Sequence, residues 1–221
     1  MRRLVLLVEA DGDVQAVPSL VGRLLQELPD EHQGQLFLDN APMKVGGLHQ
    51  ITGRNRQGDL TRHLGNAAKR PKLGAALLIL DGDADRFEGQ PFCAVEAART
   101  LAERAKAAGA GTRFSFAVVF LRQEYESLLL AVFDQLPGLR SGVDSPSAPE
   151  EAPRDAKGWL HENLEDGYTP TDRQLELTRA VKDWTPARSL NCFQRLEHAL
   201  RELAVAVANS QHIVSPRQPR S

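Results

Sequence analysis

The chain has 221 residues, 42% hydrophobic and 25% charged, with a formal net charge of -2 at pH 7. That length holds one large domain, or one domain with a small appendage, and the composition excludes a disordered or collagen-like chain. No segment approaches the roughly 20 apolar residues of a membrane helix, and the acid balance excludes a protein coated for nucleic acid, though not a local basic patch.

Arg3 to Val8 is an apolar run that Glu9 ends without a small-residue cleavage site, so it reads as a buried strand rather than a signal peptide. The protein is therefore expected to be cytoplasmic. Val14, Val17, Leu20, Val21, Leu24, Leu25 and Leu28 then repeat at helical spacing. Leu36 to Leu38 and Met43 to Val45 suit a short strand or hairpin, and Gly46, Gly47 and Gly53 mark a mobile loop. Residues from about Gly58 to Lys69 have helical character, and Ala75 to Leu80 form the next strand. Ala94 to Ala108 is an alanine-rich helix ended by Gly109 and Gly111. Phe114 to Leu121 is again strand-like, and Glu124 to Phe133 turns helical. Strands alternating with helices predict an α/β fold, a mostly parallel sheet with right-handed crossovers.

From Leu136 to Arg154 the prolines Pro137, Pro146, Pro149 and Pro153 block regular structure, and a flexible loop is predicted over 136–154. Beyond it, Ala156 to Leu164, Thr171 to Val181 and Ser189 to Val207 look helical, with Thr171 and Asp172 opening the second helix as an N-cap pair. The chain thus divides into an α/β domain over 1–135, a C-terminal helical lobe packed on the sheet over 155–214, and a mobile tail from Ser215.

The most distinctive stretch is Leu77-Leu78-Ile79-Leu80-Asp81-Gly82-Asp83-Ala84-Asp85, a strand-length apolar run ending in three acids spaced two apart. In an extended segment Asp81, Asp83 and Asp85 point the same way, and three adjacent anions repel unless a cation sits among them. Oxygen ligands of this kind suit Mg²⁺, Mn²⁺ or Ca²⁺. The alternative is a polar turn, since Asp-Gly is a common turn dipeptide. Ligands of parallel sheets gather at the carboxyl ends of the strands, and the other two long strands also end in acids. The first leads to Glu9, Asp11 and Asp13, the third to Glu124 and Glu126.

The remaining residue types add less. Arg54, Arg56, Arg62, His63, Lys69, Arg70 and Lys72 share a stretch with one acid, Asp59, and read either as a phosphate-attracting patch or as a solvated helix face. Cys93 and Cys192 lack redox or metal spacing and are expected as buried thiols in a reducing compartment. No Walker A loop, nucleophile elbow or zinc spacing is present, so any use of ATP falls to a partner. Trp159, Trp184, Tyr125 and Tyr168 are expected as core anchors rather than base-stacking platforms.

Val8-Glu9 with Asp13 four positions on, then Asp81-Gly82-Asp83, then Glu124-Tyr125-Glu126-Ser127-Leu128-Leu129 resemble the TOPRIM domain of topoisomerases, primases and overcoming-lysogenisation-defect nucleases. They are most similar to an uncharacterised TOPRIM-like bacterial family often encoded near ATPases and mobile or defence genes. Lys157-Gly158-Trp159-Leu160, Tyr168-Thr169-Pro170-Thr171-Asp172 and Arg188-Ser189-Leu190-Asn191-Cys192-Phe193 extend the resemblance over nearly the whole chain.

The resemblance implies a metal-dependent nuclease that hydrolyses phosphodiesters of nucleic acid, DNA before RNA, with Mg²⁺ or Mn²⁺. It assigns Glu9 as metal ligand and general base or acid, Asp13 as second acid, and Asp81 and Asp83 as the Asp-x-Asp pair. Asp85 is an accessory ligand, and Glu124 or Glu126 completes a second metal position. Arg122 is the candidate for steadying the scissile phosphate, with Lys44 and Arg86 behind it. Ala10 stands where the family has glycine, which is expected to hinder a phosphate or strain the turn. Leu128 stands where an aromatic is common.

The resemblance also admits an ATPase partner and leaves a homo-oligomer open. A non-catalytic interaction subunit is the alternative. A haloacid-dehalogenase-like phosphatase shares the Asp-x-Asp, but that fold opens with its Asp-x-Asp strand, whereas here a Glu-ending strand comes first.

Overall fold

A computed structural model of the chain describes residues 1–52 and 59–216. Gly53, Arg54, Arg56 and Gly58 lie outside the described residues, as does the tail beyond Pro216.

The chain runs β1 (Arg2–Val8), α1 (Asp11–Gln26), β2 (Leu36–Leu38), β3 (Met43–Lys44), α2 (Leu48–Thr52), α3 (Asp59–Ala68) and β4 (Leu73–Asp81). A small hairpin of β5 (Arg86–Phe87) and β6 (Gln90–Pro91) leads into α4 (Ala94–Ala105), then β7 (Ser115–Leu121) and α5 (Glu126–Ala131). The C-terminal part is α6 (Ala156–Asn163), α7 (Pro170–Ala180), α8 (Asn191–Ala208) and β8 (Val214–Ser215).

The main sheet has the order β2-β1-β4-β7-β8, with β3 also on β1, and every pairing in it is parallel. Parallel strands buried on both faces need apolar side chains at every position, which is why β1, β4 and β7 are continuous apolar runs rather than alternating ones. Leu4, Leu6, Val8, Leu77 and Ile79 enter one core with α1 and α5 to α8. Val5, Leu7, Ala76, Leu78 and Leu80 enter a second core with α2, α3 and α4. The C-terminal helices therefore share one layer of the sandwich with α1 and α5.

Several expectations change. The helix predicted from Thr171 starts at Pro170, with Thr169 as N-cap, because proline suits the first turn, where its missing N–H leaves no gap. The segment 136–154 has no helix or strand but is tied into the fold. The Leu139 backbone bridges Leu164, and Glu150 accepts the Cys192 N–H and the Asn191 side chain at 2.8 and 3.1 Å. Ser215, placed in the tail by the sequence, belongs to β8 and donates its hydroxyl to Glu202. Cys192 is buried, whereas Cys93 is exposed just before α4. Trp184, Tyr125 and Tyr168 are buried, as core anchors should be. Of the basic stretch, Arg70 is spent on Asp39, a buried carboxylate that Arg3 also grips. Burial alone would raise the Asp39 carboxyl, but these two guanidiniums and the Ala41 N–H outweigh it and hold it below its usual range.

Candidate functional site at the strand ends

From β1 the chain crosses through α1 to β2 on one side, then returns by way of α3 to β4 on the other side of β1. α1 and α3 cover opposite faces, so the ends of β1 and β4 form the switch point of a doubly wound sheet, where a crevice opens. Glu9 follows β1 directly and Asp81 closes β4. The Asp81 N–H donates to Glu9 Oε2 at 3.0 Å. Gly47 lets the loop after β3 pass close by, since a Cβ there would stand 2.9 Å from Glu9 Oε1.

Asp13 lies in the first turn of α1, where a carboxylate is favoured by the unpaired N–H groups and the helix dipole. It accepts the Ala10 N–H at 3.0 Å and the Gln174 side-chain amide from α7 at 3.0 Å. Ala10 itself is extended, with φ -122°, a conformation any residue adopts, so the expected strain at this substitution is absent. Asp81 Oδ1 accepts the Tyr125 N–H at 3.1 Å. Glu126, fully buried at the start of α5, accepts the Tyr168 hydroxyl at 2.6 Å on Oε1, while its Oε2 has no hydrogen-bond partner.

Lys157, in the first turn of α6, sits among these acids. Its Nζ lies 2.8 Å from Glu124 Oε2, 3.7 Å from Glu126 Oε2 and 3.8 Å from Asp81 Oδ2. Its backbone N–H also donates to Glu124 Oε1 at 2.9 Å, so α6 and the β7–α5 turn are locked together.

Among the described residues, one ammonium faces five carboxyls and does not balance them. Burial raises Glu9, and the charges of Asp83 and Asp13 add to it, more than offsetting the Asp81 N–H. Burial likewise raises Asp13, and it raises Asp81 well above the ordinary carboxylate range, with Asp13, Glu9 and Glu126 adding repulsion. Burial lifts Glu126 to about 7 despite Lys157 and Tyr168. Burial opposes the charge on Lys157, but Glu126, Glu124 and Asp81 outweigh it and hold the ammonium above its usual value.

Of the residues singled out in the sequence, Glu9, Asp13, Asp81, Glu124 and Glu126 come together. Asp83 is exposed and acts on Glu9 through its charge. Asp85 is exposed, and its backbone carbonyl accepts the Phe92 N–H at the base of the hairpin. The three acids do not form one face because β4 ends at Asp81, so the period of two stops there. Arg122 donates to the Glu150 carbonyl at 3.2 Å rather than to the clustered acids. Lys44 pairs with Asp11, and Arg86 reaches the Gly89 carbonyl. The cation that meets the acids is Lys157, which the sequence offered only within the C-terminal pattern of the resemblance. Tyr168 and Gln174 were equally silent as site residues, because their partners lie 42 and 161 positions away.

Among the described residues, no three His, Cys, Asp or Glu side chains stand together in a geometry that could hold a metal ion. The donor chemistry nonetheless fits a hard divalent cation, being all oxygen, with an unbonded buried carboxylate atom at Glu126 and more acid than Lys157 neutralises. Comparison with known proteins returns no match to a family model, to a curated protein or to a solved structure.

Proposed function

We propose that the chain is a TOPRIM-like metal-dependent nuclease that hydrolyses phosphodiester bonds, with DNA as the preferred substrate. The observation that carries this reading is the convergence of acids from the ends of three parallel strands at the switch point, around the Lys157 ammonium. Glu9, Asp13 and Asp81 would hold one Mg²⁺ or Mn²⁺, and Glu124 with Glu126 a second. Such ions lower the pKa of a bound water and neutralise charge on the phosphate.

The chain's own residues supply the rest. Glu9 Oε2 is fixed by the Asp81 N–H, which leaves Oε1 to take the proton of the attacking water. As water oxygen bonds to phosphorus, the P–O bond to the leaving sugar oxygen breaks, and that oxygen takes up a proton from solvent water while Glu9 later returns its own to solvent. Lys157 Nζ is placed to hold a non-bridging phosphate oxygen, the role the sequence gave to Arg122.

The test is cleavage of plasmid, linear and single-stranded DNA and of RNA with Mg²⁺ or Mn²⁺, comparing wild type with Glu9→Ala and Asp81→Ala. Activity lost in both variants, with circular dichroism unchanged, supports the nuclease. A second reading, a non-catalytic interaction subunit of an ATPase, is favoured by the position of Lys157, which already supplies the cluster with a cation. Absence of cleavage, together with a melting temperature unmoved by Mg²⁺, would select it.

A further inference from the structure

β8 pairs with β7 only at Phe116 and Ala117, so among the described residues no strand follows the outer side of β7 from Val118 to Leu121. The Phe116 N–H donates to Ile213 on that side, and with a period of two the Val118 carbonyl and the Phe120 N–H face the same way. In place of a fourth long strand lies a cavity of about 580 Å³, roofed by Val95 and Ala98 of α4 and floored by Ala199 of α8. Phe92 packs edge-on to Phe120 at 5.3 Å along its wall.

The cavity adjoins the acids. Gly82, between Asp81 and Asp83, lines it, and so does Arg122, two residues before Glu124. Arg122, Arg195 and the acid Glu151 are exposed on its rim. The Glu150 carboxylate, also there, is occupied by the N-terminus of α8.

We propose that this cavity is a nucleobase site, which seats the base of the nucleotide beside the scissile phosphate. The proposal rests on the nuclease reading and names its substrate contact. The volume is that of a one-nucleotide pocket, within the roughly 300 to 1,000 Å³ usual for small-ligand sites. The apolar and aromatic walls suit a flat ring. Every nucleobase carries a hydrogen-bond donor beside an acceptor on its Watson–Crick edge, which a carbonyl and an N–H two residues apart, with no strand partner among the described residues, can meet. The arginines on the rim supply charge for the attached phosphate. A peptide adding a strand would use the same backbone groups, but it would not need cations beside an acidic cluster.

The experiment is methyl NMR titration of the metal-free full chain with 2′-deoxyadenosine 5′-monophosphate and with 2-deoxyribose 5-phosphate, following Val118, Ala98 and Ala199. The nucleotide is expected to bind about tenfold tighter than the base-free sugar, as stacking on an aromatic wall provides. Val95→Trp, at an exposed position, fills the cavity and should abolish that difference. Equal affinities for the two ligands, or base-dependent binding untouched by Val95→Trp, would overturn the proposal. So would methyl shifts with an extended strand-forming peptide and none with the nucleotide. DNA cleavage that survives Val95→Trp unchanged overturns the base site and leaves the nuclease reading standing. Base-dependent binding lost in Val95→Trp, in a protein that cleaves nothing, upholds a nucleotide site and removes the nuclease.

Discussion

Lys157 is the residue on which the acid cluster depends. Its ammonium is the cation closest to Glu124, Glu126 and Asp81, and its side chain is 39% exposed. Lys157→Ala leaves three carboxyls without that cation, and the loss is expected to be about 1 to 3 kcal/mol, below that for a fully buried pair because water screens part of the interaction. Urea unfolding at pH 8 and at pH 5.5 checks this. The loss should shrink at the lower pH, where Glu126 and Asp81 hold protons. An equal loss at both would mean that Lys157 acts only through packing.

Glu126 has its own pH signature. Its carboxyl keeps its proton up to about 7 in the fold, against an ordinary value of 4.5. Between those values the folded state binds more protons than the unfolded one, so stability falls as pH rises through this window. Glu126→Gln retains an acceptor for Tyr168 but has no charge to bury. It is expected to be more stable than wild type by about 3 kcal/mol at pH 8, converging on it below pH 5. Melting curves across that range decide it, and parallel profiles for the two proteins would remove the account.

At the scale of elements, the site depends on how closely β4 and β7 run at their carboxyl ends. A Cβ on Gly82 would lie 2.6 Å from the Leu121 carbonyl, and the Gly82 N–H donates to Gln123 at 2.9 Å. Backbone cannot yield as a flexible side chain would, so Gly82→Ala should cost about 2 to 3 kcal/mol and displace Asp81 from the Tyr125 N–H. Denaturation midpoints and the amide shift of Tyr125 report both effects. Gly12 is constrained in the same way, where a Cβ would meet Pro170 and the Gln174 side chain of α7. Gly12 and Gly82 thus mark where one element passes directly against another, a closeness that the sequence alone does not show at either glycine.

Over the whole molecule, the C-terminal half is a structural layer and a source of site residues together. α6 to α8 close one face of the sheet, and from this half come Lys157, Tyr168 and Gln174. A chain ending at residue 135 would expose Leu77, Ile79 and Val119 on that face. It is expected to lose cooperative thermal unfolding and to bind a hydrophobic dye, and a sharp transition in it would argue that 1–135 folds alone.

The alternation of strand and helix, the burial of β1, β4 and β7 on both faces, and the acids following each were all legible in the sequence. Each is a local pattern, either an apolar run of strand length or a polar residue that ends one. The parallel α/β class follows from those patterns, because continuous apolar strands separated by helices bury themselves only between two helical layers. The sequence also brought Glu9, Asp13, Asp81, Glu124 and Glu126 to attention, since a carboxylate at the end of a buried strand is conspicuous by itself. Tertiary structure alone decided which acids share a space, that Asp83 and Asp85 stand outside it, and that Lys157 rather than Arg122 meets them. Among the described residues, it alone left the edge of β7 beyond Ala117 without a strand partner. Those outcomes depend on where β4 stops, on which side of β1 the chain returns, and on contacts spanning up to 161 positions, and no local pattern carries such distances.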